Sequence, residues 1–499
     1  MIARNVLANL SGMAVSLAVQ AGIAFGGYRL AGAEQYGLIG FFAVLLTAAA
    51  IFDAGLGQTV TRLVARNQVE NPSGTGSLVF NFTLIYTGLA VVLALAIWLL
   101  SPWIAAYWLR PQHITPGEVQ WAITLMGVGI AVQRLRGIFQ ATLEGLERQV
   151  LCNLLLIGTG LLRLGLGLGA LAFVAPTAEA FFWSQIAASL VETTSFAIAV
   201  GRNVPSSFGR QRLEMDLIWR TMRFAVANMA SAATGTMVQI ADSLVISAVL
   251  PLSVFGTYSL VATMCSAMVR LTTPLITAAF PRMSAYVSAE RGAELRELFF
   301  SISQATFVLM LTATGVLVFF GGAFLELLSG NPSAGRDFAP VLAILAIAYA
   351  LGGLCRPSHA LQMAEGDPVT ALKINLICGA FYLPAILLLT PLYGVVLPAV
   401  CLAATNLLAF FLFTRTAFRQ RLRGQALHWV SVSVLPQLLV IAVCYELARL
   451  PLEAFASLPA RLITAVAASG IALLAGVLAS NALRPHLLAL PRRMTGQQA

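Results

Sequence analysis

The sequence predicts an all-α polytopic membrane protein of about fourteen transmembrane helices, two pseudo-symmetric six-helix lobes followed by two further helices. Three observations predict it. The chain of 499 residues is 59% hydrophobic and only 10% charged, whereas a soluble domain carries roughly 25% charged residues. Its apolar residues fall in runs of roughly 20 to 27, the length a helix needs to cross about 30 Å of hydrocarbon. Spanning strands would be about ten residues long and alternate in polarity, which these runs do not. The pattern also repeats once along the chain.

Bounding the apolar runs by charge and by Gly, Pro and Asn clusters places helices at about 4–29, 36–62, 77–101, 119–143, 149–174 and 178–200. The opening run carries Asn5, Asn9, Ser11, Ser16 and Gln20 at helical spacing with no clean cleavage site behind it, and reads as a retained first helix. After a polar stretch from Gly201 to Asp216, six more helices follow at about 217–248, 253–280, 297–321, 338–361, 368–390 and 392–415. A basic loop at Arg419, Arg421 and Arg423 leads to a last pair near 429–449 and 459–481 and a basic tail. The expected domains are residues 1–205, 206–425 and 426–499.

The basic residues set the orientation, since short cytoplasmic loops retain Lys and Arg. Alternating the loops from a cytoplasmic N-terminus puts 23 on one side and 5 on the other (Arg29, Arg110, Arg336, Arg449 and Arg461), with Arg163 and Arg270 inside helices. Both termini are expected in the cytoplasm. A net charge of +10 therefore calls for no nucleic-acid partner. Cys152, Cys265, Cys355, Cys378, Cys401 and Cys444 lie singly in apolar runs and form neither a disulfide framework nor a metal or redox pair.

At an offset of about 219 residues, Arg4, Ala8, Asn9 and Gln20 meet Arg223, Ala227, Asn228 and Gln239, and Gly37 meets Gly256. Farther on, Arg62 corresponds to Arg282, and Arg136 with Glu144-Gly145 to Arg356 with Glu365-Gly366. An even number of helices per copy makes these parallel repeats, two lobes facing a central cavity. Asn and Gln are costly in hydrocarbon, so Asn9, Gln20, Asn228 and Gln239 are candidate cavity positions.

Ionisable groups inside helices are the next candidates. Asp53 and Arg270 fall on repeat-equivalent helices about one turn apart in register and could pair as a cross-lobe latch; Asp53, before Gly55 and Gly57, could equally cap a helix break. Asp242 is a candidate proton or cation site, or the acceptor of an interhelical hydrogen bond. Arg163 and Glu192, on neighbouring helices, read as a structural ion pair. Arg134, Arg136, Arg356 and Lys373 lie near cytoplasmic helix ends, suited to pyrophosphate or a gate, or serving as snorkelling anchors. Arg29 closes an outer gate or ends its helix.

The single lysine, Lys373, has no Gly-rich loop around it, so the chain holds no ATP-hydrolysing motif. His113, His359, His428 and His486 are solitary, and no metal or cofactor is expected. Connecting loops are short and chemically poor, which argues against an enzyme of glycan assembly. A transporter is the expected class.

The turn Ala33-Glu34-Gln35-Tyr36-Gly37-Leu38 and the run Phe52-Asp53-Ala54-Gly55-Leu56-Gly57-Gln58, followed by Thr61-Arg62, resemble the first two helices of Wzx-type polysaccharide flippases of the multidrug/oligosaccharidyl-lipid/polysaccharide exporter superfamily. The six plus six plus two layout resembles them too. The resemblance implies a two-lobed flippase of the bacterial inner membrane that moves an undecaprenyl-pyrophosphate-linked oligosaccharide by alternating access for surface polysaccharide synthesis. It implies a cationic cavity containing Arg270, a lipid-facing groove at the last two helices, and work alongside a polysaccharide polymerase. A peptidoglycan-precursor flippase and a drug/cation antiporter of the same superfamily are the alternatives, the antiporter normally having only twelve helices.

Overall fold

A helix of 48 residues, Ile2–Ala49 (α1), opens the chain; at 1.5 Å per residue it would be about 72 Å long, more than twice the hydrocarbon core. Gly32 breaks it. Its φ of 81° and ψ of 168° lie where only glycine is comfortable, and the chain folds back so that Gly27 and Tyr28 pack against Tyr36 and Ile39. One run in hydrogen-bond terms is thus two rods, the first two expected helices. The second ends at Ala49, not near 62: a 3₁₀ turn, Ala50–Asp53, follows, and Leu56–Glu70 (α2) is a separate amphipathic helix burying Leu56, Val60 and Val64. The 3₁₀ turn ends at Asp53, where a helix break was the alternative expectation.

In this computed structural model the structure describes residues 2–53, 56–70, 74–204, 233, 236–449 and 457–485, without the side chains of residues 2–11, 13, 14, 52, 53 and 420. No β-strand occurs among them. The other helices are Thr75–Trp103 (α3), Pro116–Gly145 (α4), Gln149–Gly169 (α5), Ala178–Asn203 (α6), Thr236–Val249 (α7), Leu252–Ser288 (α8), Gly292–Ser329 (α9), Pro332–Leu354 (α10), Arg356–Ala364 (α11), Pro368–Tyr393 (α12), Val396–Gln420 (α13), Ala426–Trp429 (α14), Leu435–Arg449 (α15) and Leu458–Ala479 (α16). Eleven stretches of the described chain are long and apolar enough to span a membrane. That count takes α1 as one span and leaves out α6 and the described part of α7; with its second rod and those two, the helical rods match the expected fourteen in number.

The chain divides into two compact units, Met1–Leu260 and Val261–Ala499. In the first, the opening rod of α1 lies against α5 through Gly22 and Gly26, where an added Cβ would sit 2.8 and 2.5 Å from the Leu164 and Leu168 methyls. The core beneath α2 is Phe82 and Tyr86 of α3, Ile138 and Phe139 of α4 and Phe196 of α6. Thr115 starts α4 with a capping box: its hydroxyl accepts from the Glu118 N–H, the Glu118 carboxylate accepts from the Thr115 N–H at 2.9 Å, and Pro116 occupies the first turn.

In the second unit α9 packs on α10, and α15 and α16 lie against α9 around Phe320, Ile441 and Tyr445, with Ala465, Ala468 and Ala472 allowing close approach. The Tyr445 hydroxyl donates to the Thr312 carbonyl at 2.8 Å.

The repeat is visible in the turns. Gln149 and Pro368 open α5 and α12, 219 residues apart, and each follows a tight turn with a left-handed residue, Glu147 (φ 57°) and Gly366 (φ 75°), also 219 apart. Glu144-Gly145 and Glu365-Gly366, matched by residue type, are therefore two places out of structural register. At the contact between the second rod of α1 and the start of α8, both within the first unit, equivalent residues meet reciprocally. A Cβ on Gly256 would run into the Ala33 carbonyl, one on Gly37 would stand 2.5 Å from the Leu252 carbonyl, and Gly40 faces Ser259. At the 219 offset Ala33 matches Leu252, Gly37 matches Gly256 and Gly40 matches Ser259; such exchange of partners is the signature of a two-fold relation.

Candidate functional site

Charge inside the first unit is concentrated on α4, α5 and α6. Gln185, Ser189 and Glu192 recur at i, i+4 and i+7 along one face of α6, and Arg163 of α5 reaches all three: 3.5 Å to Gln185 Oε1, 3.1 Å to Ser189 Oγ and 2.6 Å to Glu192 Oε2. The expected Arg163–Glu192 pair is present. A third member was not expected: Arg136 of α4 donates to Glu192 Oε1 at 3.2 Å and lies over the Phe196 ring at 5.9 Å. Glu192, 7% exposed, thus serves two guanidinium groups, leaving the triad one positive charge in excess.

Asp242 of α7 is buried and accepts the Tyr258 hydroxyl of α8 at 2.6 Å and the Ser243 N–H at 2.7 Å. The hydrogen bond from Tyr258 joins α8 to α7. Nearby Tyr28 and Thr257 share a hydrogen bond of 2.9 Å, joining α1 to α8.

In the same unit, the turn after Gly32 clamps the loop between α3 and α4. Glu34 accepts the backbone N–H groups of Gln112 and His113 and lies 3.0 Å from the His113 ring. Gln35 accepts the first N–H of α6, from Ala178, at 2.8 Å, while Leu252 donates to the Arg110 carbonyl at 3.0 Å and Ser253 to the Gln112 side chain at 2.7 Å. Sequence reasoning noted Glu34 only as part of a family-like turn.

In the second unit Arg270 stands exposed at the middle of α8 with neither a hydrogen bond nor an ion pair among the described residues. A mid-helix guanidinium that meets no partner among the described residues offers a fork for an anion. Arg356 is committed instead: its Nη1 reaches the Val269 carbonyl at 3.1 Å and the Thr272 and Thr273 hydroxyls at 3.1 and 3.0 Å, pinning α11 to α8. Lys373 is exposed on α12, and Arg134 is partly buried on α4. Arg29 is exposed three residues before the Gly32 break, Gln20 is half-buried and Gln239 exposed. Asn228 and the side chains of Asn9 and Asp53 lie outside the described residues. Among the described residues no group of three or more His, Cys, Asp or Glu gathers as a metal site.

Helical rods in two repeats, with charge held inside the helices, define a polytopic helical membrane protein. Residues 2–287 match the model of the polysaccharide biosynthesis protein family, and the chain belongs to that family. Among solved structures, it is similar to the Lipid II flippase MurJ in an inward closed conformation (TM-score 0.71, 10% identity, 98% of this chain and 99% of that one). It is also similar to a multidrug resistance MATE family transporter of the MOP superfamily, inward-facing (TM-score 0.70, 11% identity, 83% of this chain and 99% of that one). A MOP superfamily transporter from Pyrococcus furiosus follows at a TM-score of 0.55 and 13% identity, covering 83% of this chain and 95% of that one. At these identities the likeness establishes the MOP fold. No curated protein matches by sequence.

Proposed function

We propose that this membrane transporter is a flippase for an undecaprenyl-pyrophosphate-linked oligosaccharide, carried from the cytoplasmic to the periplasmic leaflet of the bacterial inner membrane by alternating access. The observation that carries the reading is the match of residues 2–287 to a polysaccharide biosynthesis family on a transporter fold. The 23-to-5 partition of basic residues supports cytoplasmic termini. Arg270 is assigned to the pyrophosphate: planar, permanently charged and uncommitted, it offers a fork that fits phosphate oxygens in pairs. Gln20, Gln239 and Arg29 are assigned to polar contacts along the path, joined by Asn9, Asn228 and Asp53. Lys373 and Arg134 supply further cationic contacts; Arg136 and Arg356 hold helices together as their first task. Asp242 remains a candidate for coupling through its proton. The sugar polymerase that consumes the carried unit is the expected partner.

The test is translocation of a fluorescent lipid-linked oligosaccharide in proteoliposomes. Arg270→Ala should slow transport at least ten-fold, Arg270→Lys less, with wild-type insertion in both. Wild-type protein that leaves the labelled lipid in its original leaflet sinks the proposal. Rescue of a strain lacking its peptidoglycan-precursor flippase would redirect it to that substrate.

A further inference from the structure

Between α2 and α4 lies a cavity of about 610 Å³, within the range of small-molecule sites. Gln58, Thr61 and Arg62 line it from α2, and Arg136, Gln140 and Glu144 from α4, over a floor of glycine and alanine. Among the described residues no large apolar side chain lines it, so this lining suits a polar head better than an acyl or prenyl chain.

Its charges are unevenly satisfied. Arg62 is exposed, with no hydrogen bond or ion pair among the described residues. Arg136 shares Glu192 with the closer Arg163, and its own Nε is buried without a partner. Among the described side chains, Arg62, Arg136 and Arg163 set against Glu192 and Glu144 leave one positive charge over. On the same wall Gln140 donates its amide N–H to Glu144 Oε1 at 2.8 Å, so its carbonyl oxygen stands available as an acceptor beside the carboxylate. Thr61 is already engaged, donating to the Gly57 and Ala141 carbonyls at 3.1 and 3.2 Å. The pocket therefore sets guanidinium donors beside carboxylate and amide acceptors. A bare anion would use the first and be repelled by the second; a phosphoryl group esterified to a polyol uses both.

We propose that this pocket, separate from Arg270, is a binding site for a sugar- or polyol-phosphate head, its phosphoryl oxygens on Arg62 and Arg136 and its hydroxyls on Gln140 and Glu144. Two lipids carry that chemistry: the phosphorylated glycan end of the proposed substrate, and a phosphatidylglycerol headgroup. Only the first rests on the flippase reading.

The experiment is calorimetric titration of the full-length protein in phosphatidylcholine nanodiscs with glucose 1-phosphate, inorganic phosphate and glucose. Glucose 1-phosphate should bind at least ten-fold more tightly than either half. Arg62→Gln, an exposed position that leaves the helix packing alone, should weaken it about ten-fold, the worth of one charge-assisted hydrogen bond. Gln140→Leu should abolish the preference over inorganic phosphate. Loss of glucose 1-phosphate binding in discs containing phosphatidylglycerol assigns the site to the phospholipid head; persistence assigns it to the glycan end. No binding, equal binding of inorganic phosphate, or an Arg62→Gln isotherm like the wild type overturns the proposal. Binding with these properties in a protein that transports no lipid-linked oligosaccharide would remove the flippase reading and leave the site.

Discussion

Replacing Glu192 by glutamine tests whether the α4–α5–α6 triad stabilises its unit. The carboxylate carries one negative charge against Arg136 and Arg163, so the site holds one net positive charge in the wild type and two in Glu192→Gln. Breaking a buried pair by removing one partner costs about 3–5 kcal/mol, because the remaining charge is left uncompensated. The arginine side chains retain 23% and 17% exposure and the glutamine carbonyl still accepts one hydrogen bond, which brings the expected cost to about 2–3 kcal/mol. At about 2 °C per kcal/mol for a domain of some 250 residues, the melting temperature should fall by about 5 °C. The assay is intrinsic-fluorescence melting in detergent, with Arg163→Gln/Glu192→Gln as the control. The double variant returns the net charge to one and should recover most of the loss, a coupling that simple removal of side-chain volume would not give. A single variant melting within a degree of the wild type, or a double variant worse than the single, refutes the reasoning.

Glu34→Gln removes the charge from the clamp on the 112–113 backbone while keeping its shape, and amide exchange at Gln112 and His113 should accelerate about ten-fold; protection equal to the wild type would show that other contacts hold the loop. Glu365, in the turn between α11 and α12, gives a pH prediction. Burial holds its carboxyl above the ordinary glutamate range, reinforced by Asp367 and opposed by Arg421 at 3.4 Å. A raised folded-state pKa means that this group's stability contribution is complete below the unfolded value of about 4.3 and is lost as pH rises through the folded value. Glu365→Gln escapes that loss, so its melting temperature relative to the wild type should rise as pH climbs from about 4 to 7, and a pH-independent difference would contradict it.

Helix number and type were legible because the chain obeys bilayer length: α5, α12 and α16 begin within a residue of their expected positions. The second rod of α1 was misjudged at its end, since Leu56, Val60 and Val64 continue the apolar spacing through the 3₁₀ turn, and periodicity does not register a change of axis. The Arg163–Glu192 pair could be inferred from adjacent helices, but Arg136 could not, its partner lying 56 residues away on a helix that α4 meets only in the folded unit. Glu34 was illegible for another reason: its main partners are backbone N–H groups some 78 residues on, and any residue type supplies an N–H.

The two repeats keep different things in common. What they share is backbone geometry: the left-handed turn before α5 and α12, and the reciprocal glycine contacts of Gly37 and Gly256, where a side chain would push two helices apart. What they do not share is charge at four positions inside the helices. Counted back by the 219 offset, Arg270 corresponds to Ile51 and Asp242 to Ile23; counted forward, Arg163 and Glu192 correspond to Tyr382 and Phe411. A buried or mid-membrane charge is costly in either copy, so keeping each in one repeat alone is not a demand of the duplicated scaffold. It suits a cargo with unlike ends, such as the phosphate-bearing, glycan-bearing lipid proposed above, because a symmetric pair of cationic sites would bind its single anionic group in two competing places.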